Sequence, residues 1–131
     1  VRAIEAKGAK PTRQELRPHS LIIGLSLSPK DLKKRIEQRT DAMLAGGLEQ
    51  EVKSLAGKYG WEREPMKGIG YREWQAYFTG GQSLAETRQK IISSTVNLAK
   101  RQRTWFKRNP DIHWFDSANS AYQFIQSALN T

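Results

Sequence analysis

Cysteine is absent from this chain of 131 residues, so neither a disulfide framework nor a thiolate metal site can hold it together. A reducing compartment, the cytoplasm, is the expected setting. Histidine is nearly absent too, with two in the whole chain. Neither His113 nor Asp116 falls at a spacing that pairs with a serine or gathers metal ligands, so no metal site is expected from these residues. Long apolar runs are missing. None approaches the ~18 residues that a membrane-spanning helix requires, and the opening Val1-Arg2-Ala3-Ile4-Glu5 reads as helix rather than as a signal peptide. There is no Gly-x-x-x-x-Gly-Lys-[Ser/Thr] phosphate loop, no repeat and no low-complexity tract.

Acidic residues are in short supply, 13 Asp+Glu against 22 Lys+Arg, which leaves a formal charge of +9. Such an excess on one small domain attracts polyanions, nucleic acid above all. Its distribution is uneven. Lys100, Arg101, Arg103, Lys107 and Arg108 lie within one short stretch, and no acid occurs between Lys90 and Asp111.

Turn signals divide the chain into helices and two apolar segments. A helical stub at residues 1–7 ends in Gly8 and gives way to a polar loop containing Pro11 and Pro18. Leu21 to Leu27 suits a buried strand. Ser28-Pro29 supplies an N-cap and a proline for a helix reaching about Ala45, where Gly46-Gly47 stops it. A second helix spans about Leu48 to Lys58, a turn-rich stretch follows to Gly70, and Tyr71 to Phe78 reads as a short helix. Ser83 and Glu86 form a capping box that opens a long helix to about Arg108. Ile112 to Phe115 reads as a strand and Ser120 to Leu129 as a closing helix. Two strands alone are marginal in water. They are expected to complete a sheet begun elsewhere, as the second part of a longer protein would.

Three constellations could carry chemistry. On the helix after Pro29, Leu32, Ile36 and Met43 mark an apolar stripe, with Arg39 near its centre and Arg35 at its edge. A guanidinium facing a core needs an anion. Glu5 or Asp41 could supply one, the side chain could snorkel to water, or the planar fork could clamp a phosphate or diphosphate. The second constellation is Lys67-Gly68-Ile69-Gly70-Tyr71-Arg72, a glycine-flanked turn entering a helix. Its backbone N–H groups could meet phosphate, Tyr71 could stack on a base and Arg72 could make a charged contact, although such segments are also ordinary helix-entry loops. The third is the end of the long helix. Lys100, Arg103 and Lys107 share one side, Arg101 and Arg108 another, while Ile91, Leu98 and Trp105 recur at core spacing. Phosphates neutralised by that face would give a steep salt dependence, whereas a merely solvated charge run would give none.

Several segments, in order, resemble the bacterial tRNA dimethylallyltransferases, the tRNA isopentenyltransferase family. They are Arg2 to Glu5, Ile23-Gly24-Leu25, Arg35 to Arg39 with Met43, Gly47-Leu48, Glu51-Val52, Gly68 to Glu73, Leu98 to Phe106, and Trp114-Phe115-Asp116. The resemblance is to the C-terminal half only. It implies a mostly α fold with two short strands, the C-terminal part of an α/β phosphate-loop NTPase-like architecture. Residues 1–27 would be a helix stub, loop and sheet strand, 28–81 helices and a tRNA-contacting turn, and 82–131 the long basic helix, a strand and a closing helix. It also implies transfer of dimethylallyl from dimethylallyl diphosphate to N6 of the adenosine 3′ of the anticodon. An aspartate base and Mg²⁺ would belong to the N-terminal half, so this fragment alone would be inactive.

On the same resemblance Arg39 is the catalytic residue that meets the diphosphate. Lys67, Gly68, Ile69, Gly70, Tyr71, Arg72, Lys100, Arg101, Gln102, Arg103 and Lys107 contact the tRNA anticodon stem-loop. The partners implied are tRNA and dimethylallyl diphosphate, with no membrane, and the enzyme would be a monomer. The chain departs from the family at Val96, commonly arginine, and in a shortened stretch between Glu5 and Lys10. Rival readings are a non-catalytic RNA-binding helical module and a basic domain that meets acidic proteins.

Overall fold

A computed structural model describes Arg17 and residues 20–129. The helix expected at residues 1–7, Glu5 among them, lies outside the described residues. The order is strand β1 (Ile22–Leu25), helix α1 (Pro29–Ala45), helix α2 (Leu48–Tyr59), two single turns of 3₁₀ helix (Glu64–Lys67 and Arg72–Trp74), helix α3 (Gln75–Phe78), helix α4 (Leu84–Phe106), strand β2 (Ile112–Phe115) and helix α5 (Ala118–Leu129).

Local chemistry sets the boundaries. Ser28 caps α1 by accepting the Asp31 N–H at 3.1 Å, and Pro29 fills a first-turn position whose N–H would have no intrahelical partner. Gly47, at φ +94, makes the left-handed turn between α1 and α2. At α4 the capping box forms as read. The Glu86 N–H donates to Ser83 Oγ at 3.2 Å, and the Ser83 N–H donates to the Glu86 carboxylate at 2.8 Å. Tyr71 to Phe78 is not one helix. A 3₁₀ turn at Arg72–Trp74 leads into the four-residue α3, so the chain tightens just where an α-helix was expected to begin.

The core gathers Leu48 and Val52 of α2, Met66, Trp74 and Ile91 of α4. Trp74 is wholly buried, edge-on to Tyr77 with centroids 5.3 Å apart and stacked on Phe78 at 5.8 Å. Helix α1 lies against α4, where the Arg88 fork grips Asp41 through Nε at 2.5 Å and Nη2 at 2.8 Å.

The strands form a parallel pair in register Ile22↔Ile112 to Leu25↔Phe115, with the helices α1 to α4 as the crossover. On one face His113 and Phe115 meet Phe124 of α5 at 4.9 and 5.2 Å. On the other, Trp114 lies over Gly24. A Cβ built on Gly24 would come within 2.6 Å of the indole, so only glycine leaves room.

Candidate phosphate-binding cleft and basic helix

The α1 stripe does not seal against its neighbours. Together with α4 and the turn at residues 69–71 it lines an open cleft of ≈ 530 Å³. Ile36 and Ile91 are buried at its base, while Arg35, Arg39, Gly70 and Tyr71 stand at its wall. Arg39 therefore points off the apolar stripe into the opening, exposed rather than enclosed. Of the two carboxylates considered as its partner, Asp41 is held by Arg88 instead, and Glu5 lies outside the described residues.

Most polar groups around this cleft are already satisfied. The Thr40 and Thr95 hydroxyls donate to the Ile36 and Ile91 carbonyls, each at 2.8 Å. The Tyr71 hydroxyl donates to Glu51 Oε1, and that hydrogen bond, with lesser help from burial, raises its pKa above the ordinary phenol value. The Gly70 N–H donates to Glu73 Oε2 at 2.8 Å. Among the described residues this leaves the guanidinia of Arg35 and Arg39 as the unpaired donors of the cleft. Planar donors one helical turn apart at the wall of an open, mostly apolar cleft suit a multiply charged oxyanion.

The turn at 67–72 differs from expectation. Its backbone N–H groups do not form a free phosphate cradle. Gly70 donates to Glu73, and the Tyr71 and Arg72 N–H groups both donate to the Gly68 carbonyl at 3.1 Å. What the turn offers is side chains. Arg72 is exposed, and Lys67 is exposed but paired with Glu64 at 2.8 Å. Ile69, Gly70 and Tyr71 share the cleft with Arg39, while Lys67 and Gly68 sit outside its lining.

Helix α4 carries Lys100, Arg101, Gln102 and Arg103 on its exposed last turns, and Lys107 caps it. These residues are not in the Arg39 cleft. Gln102 and Arg103 line a second groove of ≈ 410 Å³ against β1 and β2, next to Phe106 and Trp114. The heptad reading of this helix fails at its end. Ile91 is buried and Leu98 half-buried, but Trp105 is 65% exposed, edge-on to Phe106 at 5.0 Å. The strand pair borders the helix end on its Gln102, Arg103 and Phe106 side, and among the described residues nothing buries Trp105, so a position with core spacing has no core to enter.

Sequence reasoning missed the carboxylates. Glu49 and Glu51 accept from Tyr77 at 3.0 Å and from Tyr71. Those partners lie too far along the chain for spacing to reveal them. Glu73 did leave a signal. It follows Gly70 by three residues and reaches back to a backbone N–H, as Glu86 does to Ser83.

The comparisons agree with this architecture. Residues 2–109 match the family model described as IPP transferase. The chain is 44% identical over 110 residues to a tRNA dimethylallyltransferase of Picosynechococcus sp., covering 84% of this chain and 36% of that protein. It is 48% identical over 97 residues to one of Crocosphaera subtropica, covering 74% and 32%. A crystal structure of the tRNA delta(2)-isopentenylpyrophosphate transferase of Staphylococcus epidermidis superposes with a TM-score of 0.75 at 32% identity, over 86% of this chain and 38% of that one. The chain thus spans about a third of the length of these curated relatives. With a family model covering most of its length and a matching fold, the chain belongs to the IPP transferase family.

Proposed function

We propose that this chain is the tRNA-gripping part of a tRNA prenyltransferase and contributes one arginine to the chemistry. The reaction moves dimethylallyl from its diphosphate to N6 of the adenosine 3′ of the anticodon. The amine nitrogen forms a bond to the allylic carbon, the carbon–oxygen bond to diphosphate breaks, and the amine proton passes to a base outside this chain. The observation that carries the reading is Arg39, without a partner among the described residues, beside Arg35 at the wall of an open cleft. Negative charge builds on the bridging oxygen as diphosphate departs, and a guanidinium that meets that oxygen stabilises the transition state more than the ground state. Arg72 and the cations of α4 supply contacts to RNA phosphates, which set register and affinity.

The two strands join a larger sheet of the phosphate-loop class in this reading, with the rest of the enzyme supplying the diphosphate cradle. Mg²⁺ belongs with that cradle. Among the described residues no three His, Cys, Asp or Glu side chains cluster as metal ligands. No helix among the described residues is long and apolar enough to cross a membrane.

The test is Arg39→Ala in a whole-length transferase carrying this chain. Turnover is expected to fall by about 10²-fold or more, the scale for losing one transition-state donor, while tRNA affinity stays within about twofold. An equal loss in both would remove Arg39 from the chemistry.

A further inference from the structure

Glu73 is a carboxylate whose side chain is 5% exposed, set directly behind the turn that carries Tyr71 and Arg72. A buried carboxylate is tolerated when donors surround it, and here each oxygen has one. Oε2 accepts the Gly70 N–H at 2.8 Å, and Oε1 accepts the Arg72 Nε–H at 3.1 Å. The backbone of Glu73 is fixed as well. Its carbonyl accepts from Gln82 Nε2 at 3.1 Å, and Gln82, itself buried, bonds Thr87 and Lys90 at the start of α4. Glu73 thus ties the turn to the most regular element of the fold.

The consequence falls on Arg72. Its side chain is 52% exposed, and only Nε is engaged. A guanidinium has five N–H donors in a rigid plane, so holding Nε orients the terminal NH₂ groups without using them. Among the described residues those groups have no partner. A flexible arginine must lose rotamer freedom to meet a phosphate, whereas one already anchored at Nε loses less.

We propose that Glu73 is a positioning residue: its buried carboxylate fixes the Gly70–Arg72 turn so that the Arg72 guanidinium presents its terminal NH₂ groups to a phosphate of the RNA backbone. This rests on the RNA-binding reading above. Of the contacts expected from sequence it keeps the Arg72 side chain and drops the Gly70 backbone donor. The backbone N–H of Gly70 is consumed by Glu73, and the consumed bond aims a side chain.

The experiment is a double-mutant cycle in a whole-length transferase carrying this chain, titrated with a labelled anticodon stem-loop RNA at several salt concentrations. Arg72→Ala is expected to weaken binding about 5- to 10-fold and to shallow the salt slope by about one phosphate's worth. Glu73→Ala is expected to weaken it by a similar factor, and the double variant no further than Arg72→Ala alone, because the two act as one unit. Glu73→Gln retains one acceptor of the same shape and is expected to lose only about 2- to 3-fold, a loss that disappears in the Arg72→Ala background. KM for dimethylallyl diphosphate stays unchanged throughout.

Additive losses, or Glu73→Ala affinity within about twofold of the parent, would overturn the proposal. So would a parallel loss of RNA and diphosphate binding with a lowered Tm, which marks a merely structural role. Should Glu73→Ala fail to fold, the Gln cycle is decisive by itself. Parent enzyme that binds the RNA without salt dependence overturns the RNA reading itself, and that result is distinct from a failed cycle.

Discussion

Arg39 and Trp105 show how one signal, apolar spacing on a helix, leads to different outcomes. Arg39 sits among Ile36, Thr40 and Met43 as the spacing indicated, but those residues line an opening rather than a closed core. Trp105 continues the Ile91–Leu98 repeat, yet it stands largely in solvent. Periodicity fixes direction around a helix, not how far the neighbouring element extends. Trp74 carries the contrasting case, with no exposure and two aromatic neighbours. Trp74→Ala is therefore expected to cost about 3–5 kcal/mol in denaturant unfolding and Trp105→Ala under about 0.5 kcal/mol. Comparable losses would contradict this division of the aromatics. At Gly24, a single added methyl collides with Trp114 and Ile112. Gly24→Ala should destabilise by about 1–3 kcal/mol, and an unchanged unfolding midpoint would show that the indole can move aside.

Helix starts were the most legible elements, because their signals are local. Ser28-Pro29 and the Ser83–Glu86 box form as the residues indicate. The 68–72 turn was legible as a turn but not in its hydrogen bonding. Its donors are satisfied by Glu73 and by its own Gly68 carbonyl. The tyrosine partners of Glu51 and Glu49 were not legible, because they come from another element.

The same elements carry a pH dependence. The Arg88 hydrogen bond holds Asp41 below its ordinary 3.8, with the Arg88 charge assisting, and the Ser83 N–H and hydroxyl hold Glu86 below its ordinary 4.5. Both pKa values are depressed in the folded state. Their contribution is thus fully present above those ordinary values and is lost as the pH falls through the lower folded ones. Thermal unfolding from pH 6 downward should show Tm falling below about pH 4.5, less steeply in Asp41→Asn with Glu86→Gln. Equal slopes in parent and variant would exclude these two groups as the source.

Across the whole molecule the sequence indicated a mostly helical body with two strands, and those strands pair in parallel. Their pairing was not readable from four-residue segments separated by the entire helical body. Nor was the separation of two cationic regions. Arg35 and Arg39 share the cleft between α1 and α4, whereas Lys100 to Lys107 occupy the far end of α4 beside the strand pair. That separation fits two anionic substrates better than one, a diphosphate at the cleft and RNA phosphates along the helix. The most direct test is the salt dependence of anticodon stem-loop binding by the whole-length transferase, with and without Lys100→Ala and Arg103→Ala together. If the α4 cations grip RNA phosphates, the double substitution weakens binding and lowers the slope of log K against log salt by about 1.4 to 1.8, with turnover at saturating RNA retained. Parallel salt lines of equal affinity, or lost turnover with binding intact, would contradict the assignment of that helix to RNA.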